Sequence, residues 1–261
     1  MQFIDLKRQL EHLRPAIEAR ISGVLEHGQF ILGPEVQELE QALADYCGVR
    51  HAIGVANGTD ALQLALMAAD IGPGDAVFTS AFSFFASAEV ISLVGATPVF
   101  VDIDAQSYNI CPNALESAVE AVDSEGKLTP RAIIAVDLFG LPADYPRIKP
   151  IAEKHGLTLI EDAAQSFGGA LYDQKSCSFG QMAATSFFPA KPLGCFGDGG
   201  AVFTDDDGLA DKIRSLRVHG KGKDKYDNVR IGLNSRLDTL QAAILLVKLA
   251  ELPNELRARQ R

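Results

Sequence analysis

The sequence predicts an α/β domain built on a mostly parallel sheet, and three observations predict it. From residue 52 onward short apolar runs alternate with helical stretches, each stretch long enough to cross back over a sheet. The 261 residues, 47% of them hydrophobic, can bury one sizeable core. No internal repeat, low-complexity tract or Pro/Gly/Ser-rich linker divides the chain.

In chain order, residues 5–25 read as an amphipathic helix. GQFILGP (Gly28 to Pro34) breaks it, and a second helix runs from Glu35 to Tyr46. Seven strands are then expected: Ala52–Ala56, Ala76–Ser80, Thr97–Val101, Ala132–Val136, Leu157–Ile160, Ala184–Phe188 and Gly200–Thr204. Helices near 59–70, 83–94, 112–122 and 144–155 separate the first five. A last helix is announced by Ser235 and Asp238 spaced as a capping box, with Leu237, Leu240, Ile244 and Val247 on one face. After Pro253 a new polar helix is expected to begin in NELRARQR.

The charge balance, 24 basic against 34 acidic residues for a net −10, disfavours nucleic acid as a partner and favours a soluble small-molecule enzyme. The N-terminus alternates charged and apolar residues, so neither a signal peptide nor a membrane span is expected and the cytoplasm is the default location. Cys47, Cys111, Cys177 and Cys195 are scattered without a CxxC pair, which reads as four reduced thiols, and the five histidines lack metal-ligand spacing. From Lys212 to Lys225 the chain turns basic. That stretch is either a solvated helix end and loop or a seat for an anion such as a diphosphate.

Parallel sheets place ligands beyond the carboxyl ends of their strands, so residues following each apolar run carry the chemistry. After Ala56 come Gly58, Thr59 and Asp60 at a helix start, where glycine lets backbone approach closely and free N–H groups suit a phosphate. The Asp60 carboxylate should point away from such an anion while its N–H contributes. After Ile160 comes Asp162, placed to face a cationic heterocycle nitrogen, with Gln165 three residues on. Phe84, in a cluster with Phe82 and Phe85, offers a ring to stack on a flat ligand. Ser186 leads into SFFPAKPLGCFGDGG, whose Lys191 is flanked by Phe187, Phe188, Leu193 and Phe196 and stiffened by Pro189 and Pro192. Apolar walls disfavour the ammonium form, so a buried Lys191 can act as a nucleophile. Each position alone also has an ordinary explanation: a helix cap, a strand-end cap, a core ring, a solvent-facing lysine. Together they are the parts that hold pyridoxal phosphate. No GxGxxG or P-loop pattern offers a nucleotide-binding alternative.

Six segments extend this reading: FIDLKRQ, GQFILGPEVQELE, ANGTDALQLAL, EDAAQSFGG, TSFFPAKPLGCFGDGGA and GLNSRLDTLQAAIL. With them the whole chain resembles the DegT/DnrJ/EryC1/StrS sugar aminotransferases. The last three segments resemble the branch that aminates C3 of a UDP-linked 3-keto-uronic acid in O-antigen synthesis.

The resemblance implies the large domain of a fold type I pyridoxal-phosphate enzyme with a seven-stranded sheet, and a homodimer with shared active sites. Lys191 would bond the cofactor's aldehyde carbon, Asp162 would pair with its ring nitrogen and Gln165 with its phenolic oxygen. Gly58, Thr59 and Ser186 would hold the phosphate, Phe84 would cover the ring, and Asn234 would reach the phosphate of the neighbouring subunit. Arg236 is the candidate for the substrate carboxylate, by position. The substrates would be L-glutamate and a nucleotide-linked keto-sugar. A dehydratase of the same fold, in which histidine replaces the lysine, and a non-catalytic regulatory protein are the competing readings. Domains are expected at 1–30 (helical segment), 31–250 (cofactor-binding) and 251–261, the start of a small domain that family members continue and this chain lacks.

Overall fold

The computed structural model describes residues 6–224 and 226–259. Asp5, Lys225 and the last two residues of the expected C-terminal segment lie outside the described residues.

Two helices, α1 (Leu6–His27) and α2 (Pro34–Cys47), precede an alternation of strands and helices. It runs β1 (His51–Val55), α3 (Gly58–Ala68), β2 (Asp75–Ser80), α4 (Ala86–Leu93), β3 (Thr97–Val101), α5 (Pro112–Glu125), β4 (Thr129–Val136), α6 (Tyr145–His155) and β5 (Thr158–Asp162). A small hairpin of β6 (Ala170–Leu171) and β7 (Gln174–Lys175) leads to β8 (Met182–Ser186), β9 (Gly200–Thr204), α7 (Asp207–Leu216) and α8 (Thr239–Arg259).

Seven of these strands form one sheet in the order β1-β9-β8-β5-β4-β2-β3. β9 alone runs against its neighbours, pairing antiparallel with both β1 and β8, while β8-β5, β5-β4, β4-β2 and β2-β3 pair in parallel. Alternation along the strands feeds two faces. In β4, Ala132 and Ile134 pack toward Leu62, Leu66 and Ile213 of α3 and α7. Ile133 and Ala135 pack toward Leu115 and Val119 of α5 and Ile148 of α6. Beside β9, Phe203 and Ala201 meet Leu39 and Leu43 of α2 and Leu245 of α8, and α1 lays Leu13 and Ile17 on Ile244. Among the described residues no helix is long and apolar enough to cross a membrane.

Several expectations change, and β8 lies two residues before the expected Ala184–Phe188. α4 starts at Ala86, after a turn through the aromatic cluster, and α8 continues through Pro253 instead of ending there. Leu249 and Leu252 are buried against the core on that helix, and such packing outweighs the local penalty of proline. Ser235 does not cap α8. It is fully buried, and its Oγ accepts from the Ala56 N–H at 3.1 Å.

On the face of β5 opposite Asp162, Glu161 is fully buried and accepts from the N–H groups of Cys177 (2.6 Å) and Phe179 (2.8 Å). Burial pushes its carboxyl well above the usual range and lifts that of neighbouring Asp137 to about 6, against the hydrogen bonds that Ala143, Ser166 and Tyr145 give Asp137. Glu161→Ala would orphan two buried N–H groups. It should cost about 3 kcal/mol of stability, read from urea unfolding, with Glu161→Gln, which keeps one acceptor, costing less.

Candidate active site

Where β5 and β8 end, a cavity of about 750 Å³ opens, and its wall unites residues from four distant segments. Gly58, Thr59 and Asp60 come from the start of α3, Phe84 from the aromatic turn, Asp162 and Gln165 from the end of β5, and Ser186 and Lys191 from β8 and the loop after it.

The α3 N-terminus is brought over β8 by a close approach that only glycine permits. A Cβ on Gly58 would lie 2.7 Å from that of Ser186. Asn57 caps the helix, its Oδ1 accepting the Asp60 N–H at 2.8 Å, and the helical ladder begins with Ala61 N–H on Asn57 O at 3.1 Å. The Asp60 N–H, expected to contribute to an anion site, is engaged by this cap, and Asp60 still lines the cavity. The earlier N–H groups, of Gly58 and Thr59, are those an α-helix leaves unpaired at its start, and with the Thr59 and Ser186 hydroxyls they make an anion cradle.

Asp162 is 5% exposed. Burial raises its carboxyl's pKa, against hydrogen bonds from Ser87 Oγ (2.8 Å) and Ala164 N–H (3.2 Å) and the charge of Lys191. Burial likewise lowers the Lys191 amine, with Asp162 pulling it back up. Gln165 Oε1 accepts the Phe139 N–H at 3.0 Å, which commits its amide orientation and leaves Nε2 as the donor.

Of the four apolar flanks expected around Lys191, Phe187 and Leu193 are buried while Phe188 and Phe196 are about half exposed. The loop is fixed instead by hydrogen bonds. Phe187 N–H donates to Gly199 O (2.7 Å), Cys195 N–H to Phe187 O (2.8 Å) and Phe196 N–H to Gln241 Oε1 (2.9 Å). Buried Lys248 on α8 donates to Gly194 O. Gly194 has no room for a side chain, since a Cβ would meet Pro189 O at 2.5 Å. Sequence reasoning passed over Gln241, Lys248, Ser87 and the Asn57 cap. Only Asn57, three residues before Asp60, carried a local signal.

Two predicted residues stand apart. Asn234 is exposed and Arg236 half-buried, and neither walls the cavity. The basic stretch resolves into internal pairs, Lys212 with Asp70, Arg214 with Asp211, and Arg217 with Glu40 and Gly54 O, so these three are not held ready for a diphosphate. Glu116, Glu120 and His155 do converge within 4.8 Å, but Lys154 already bonds both glutamates.

The donor set fits pyridoxal phosphate. An amine whose pKa burial lowers suits the aldehyde, a buried carboxylate the ring nitrogen, an amide N–H₂ the phenolic oxygen and the α3 N-terminus the phosphate. Phe84, 70% exposed in the chain alone, has a ring face to spare.

Comparison with known proteins agrees. The chain is 52% identical, over all of its length and 70% of the relative's, to the UDP-2-acetamido-2-deoxy-3-oxo-D-glucuronate aminotransferase of Pseudomonas aeruginosa. It superimposes with a TM-score of 0.99 on the crystal structure of a DegT DnrJ EryC1 StrS aminotransferase from Brucella abortus, at 59% identity, covering all of this chain and 70% of that one. With NtdA of Bacillus subtilis, solved with the cofactor PMP, the TM-score is 0.87 at 32% identity, over 97% of this chain and 56% of that one. The chain spans about two thirds of the length of the curated relatives it matches. The family match extends from residue 11 to residue 261, and the chain belongs to the DegT/DnrJ/EryC1/StrS aminotransferase family.

Proposed function

We propose that this protein is a pyridoxal-phosphate-dependent aminotransferase that moves an amino group from L-glutamate to a nucleotide-linked keto-sugar. In its finer form the proposal names C3 of a UDP-2-acetamido-3-oxo-uronic acid, made for cell-surface polysaccharide. The observation that carries the reading is one cavity holding a depressed lysine, a buried carboxylate and an open helix N-terminus. The substrate class rests on the name of the Pseudomonas relative. Lysine at position 191 speaks against the dehydratase reading.

When bound, the cofactor supplies a carbonyl carbon to carry the amino group and a ring that absorbs negative charge. The residues of the chain do the rest. Lys191 would hold the carbonyl carbon before substrate arrives and, once the substrate amine displaces it, would take the proton from the substrate Cα. Burial lowers the Lys191 pKa, the direction that favours the free amine. Asp162 would hold a proton at the ring nitrogen, Gln165 Nε2 would donate to the phenolic oxygen, and Gly58, Thr59 and Ser186 would hold the phosphate. The same Lys191 proton transfer, run in reverse, serves the keto-sugar, so ping-pong kinetics are expected.

The proposal includes a homodimer in a cytoplasmic setting. Asn234 is exposed and lies off its own chain's cavity, as a residue serving a neighbour's phosphate would. Exposed Phe84, Phe85 and Phe139 supply apolar surface for a second copy. Arg236 remains the candidate for the uronate carboxylate, since guanidinium and carboxylate can pair through two parallel bonds.

Borohydride reduction of the cofactor-treated protein should attach the label to Lys191 in a peptide map, and Lys191→Ala should abolish both label and amino transfer. Label on any other lysine with Lys191 untouched would overturn the reading. In assays of UDP- and dTDP-linked keto-sugars with glutamate, Arg236→Lys should lower the preference for a uronate over a neutral sugar by about tenfold, the loss of one bidentate pair.

A further inference from the structure

Ser87 is 2% exposed, does not wall the cavity, and sits in the first turn of α4, yet its hydroxyl reaches Asp162 Oδ2 at 2.8 Å across 75 residues of sequence. Behind it Ser83, on the cavity wall, places its Oγ 2.9 Å from Ser87 Oγ. The other oxygen of Asp162 accepts the Ala164 N–H at 3.2 Å.

We infer that Ser87, backed by Ser83, is a positioning residue that fixes the Asp162 carboxylate in the orientation it needs to face a ring nitrogen. The inference rests on the aminotransferase reading and adds to it a residue that acts only through Asp162.

A carboxylate held at one oxygen can still swing about its Cβ–Cγ bond. Held at both, by an N–H from its own turn and an O–H from a neighbouring helix, it keeps one plane. The direction of the hydrogen bonds matters as much as their number. When Ser83 donates to Ser87 and Ser87 donates to Asp162, each O–H polarises the next and the chain ends on the anion. Lys191, the charged group facing Asp162, acts in the same direction. Ser87 thereby opposes the burial that would otherwise favour a neutral carboxyl. A serine that merely tied α4 to β5 would matter to folding and not to the cofactor, and that difference can be measured.

The test uses the full chain with pyridoxal phosphate as the probe, following the dissociation constant and the visible absorption band of the Lys191-bound cofactor. Ser87→Ala should weaken binding about tenfold, the size of one hydrogen bond to a charged group, and change the band. Its urea midpoint without cofactor should fall only modestly, by the loss of one buried hydrogen bond, and that of Ser83→Ala by less. Ser87→Thr, which keeps the hydroxyl, should restore affinity to within about twofold of wild type, and Ser83→Ala should show a smaller loss of about threefold. Wild-type affinity and spectrum in Ser87→Ala would overturn the inference, as would a Ser87→Thr loss equal to that of alanine. Should Ser87→Ala not fold, an unchanged affinity in Ser83→Ala overturns it instead. Failure of the wild-type protein to take up cofactor at Lys191 would sink the aminotransferase reading itself. Normal wild-type uptake with an unaffected Ser87→Ala sinks this inference alone.

Discussion

A carboxylate and an amine share one poorly solvated cavity, and each limits how far burial can neutralise the other. Asp162 alone would drift toward its acid form and Lys191 toward its free base. Each counters the shift that burial imposes on the other, the charge of Lys191 lowering the Asp162 pKa and that of Asp162 raising the Lys191 pKa. The rest of the architecture keeps these two groups where that compromise holds. The parallel pairing of β5 with β8 brings the strand ends side by side, and α8 pins the lysine loop from outside through Gln241 and Lys248.

The end of β5 also divides labour between adjacent acids. Glu161 and Asp162 point to opposite faces of the sheet because strand side chains alternate. On one face Glu161 binds the backbone of the segment before β8 and is committed to structure. On the other Asp162 lines the cavity. The pleat thus sends the two side chains of an acidic dipeptide to different tasks. Glu161 still meets another buried carboxyl, Asp137, on its own face, and the charge of Asp137 adds to burial in raising the Glu161 pKa.

Much of this was legible in the sequence because it was local. Thr97–Val101 and Gly200–Thr204 are apolar runs bounded by turn residues, and the strands fall on them. Gly58, Asp162 and Lys191 were visible as strand-end residues whose chemistry stands out against small or apolar neighbours. What was hidden depended on contacts between distant segments. The reversal of β9 and the placement of β1 at an edge follow from pairing that no local pattern encodes. Ser87 looks like any serine in a helix first turn until β5 is laid beside it. Pro253 reads as a stop signal, and only the burial of Leu249 and Leu252 shows why the helix carries on. The basic stretch left two readings open for the same reason, since the partners of Lys212 and Arg217, Asp70 and Glu40, lie far away in the chain.

The lysine loop is closed by the backbone of Phe187, Gly194, Cys195, Phe196 and Gly199 and by two side chains of α8, and none of these bonds uses the Lys191 side chain. The fold of the loop and the chemistry proposed for its amine therefore rest on different groups, and replacing the Lys191 side chain would remove none of the bonds that close the loop.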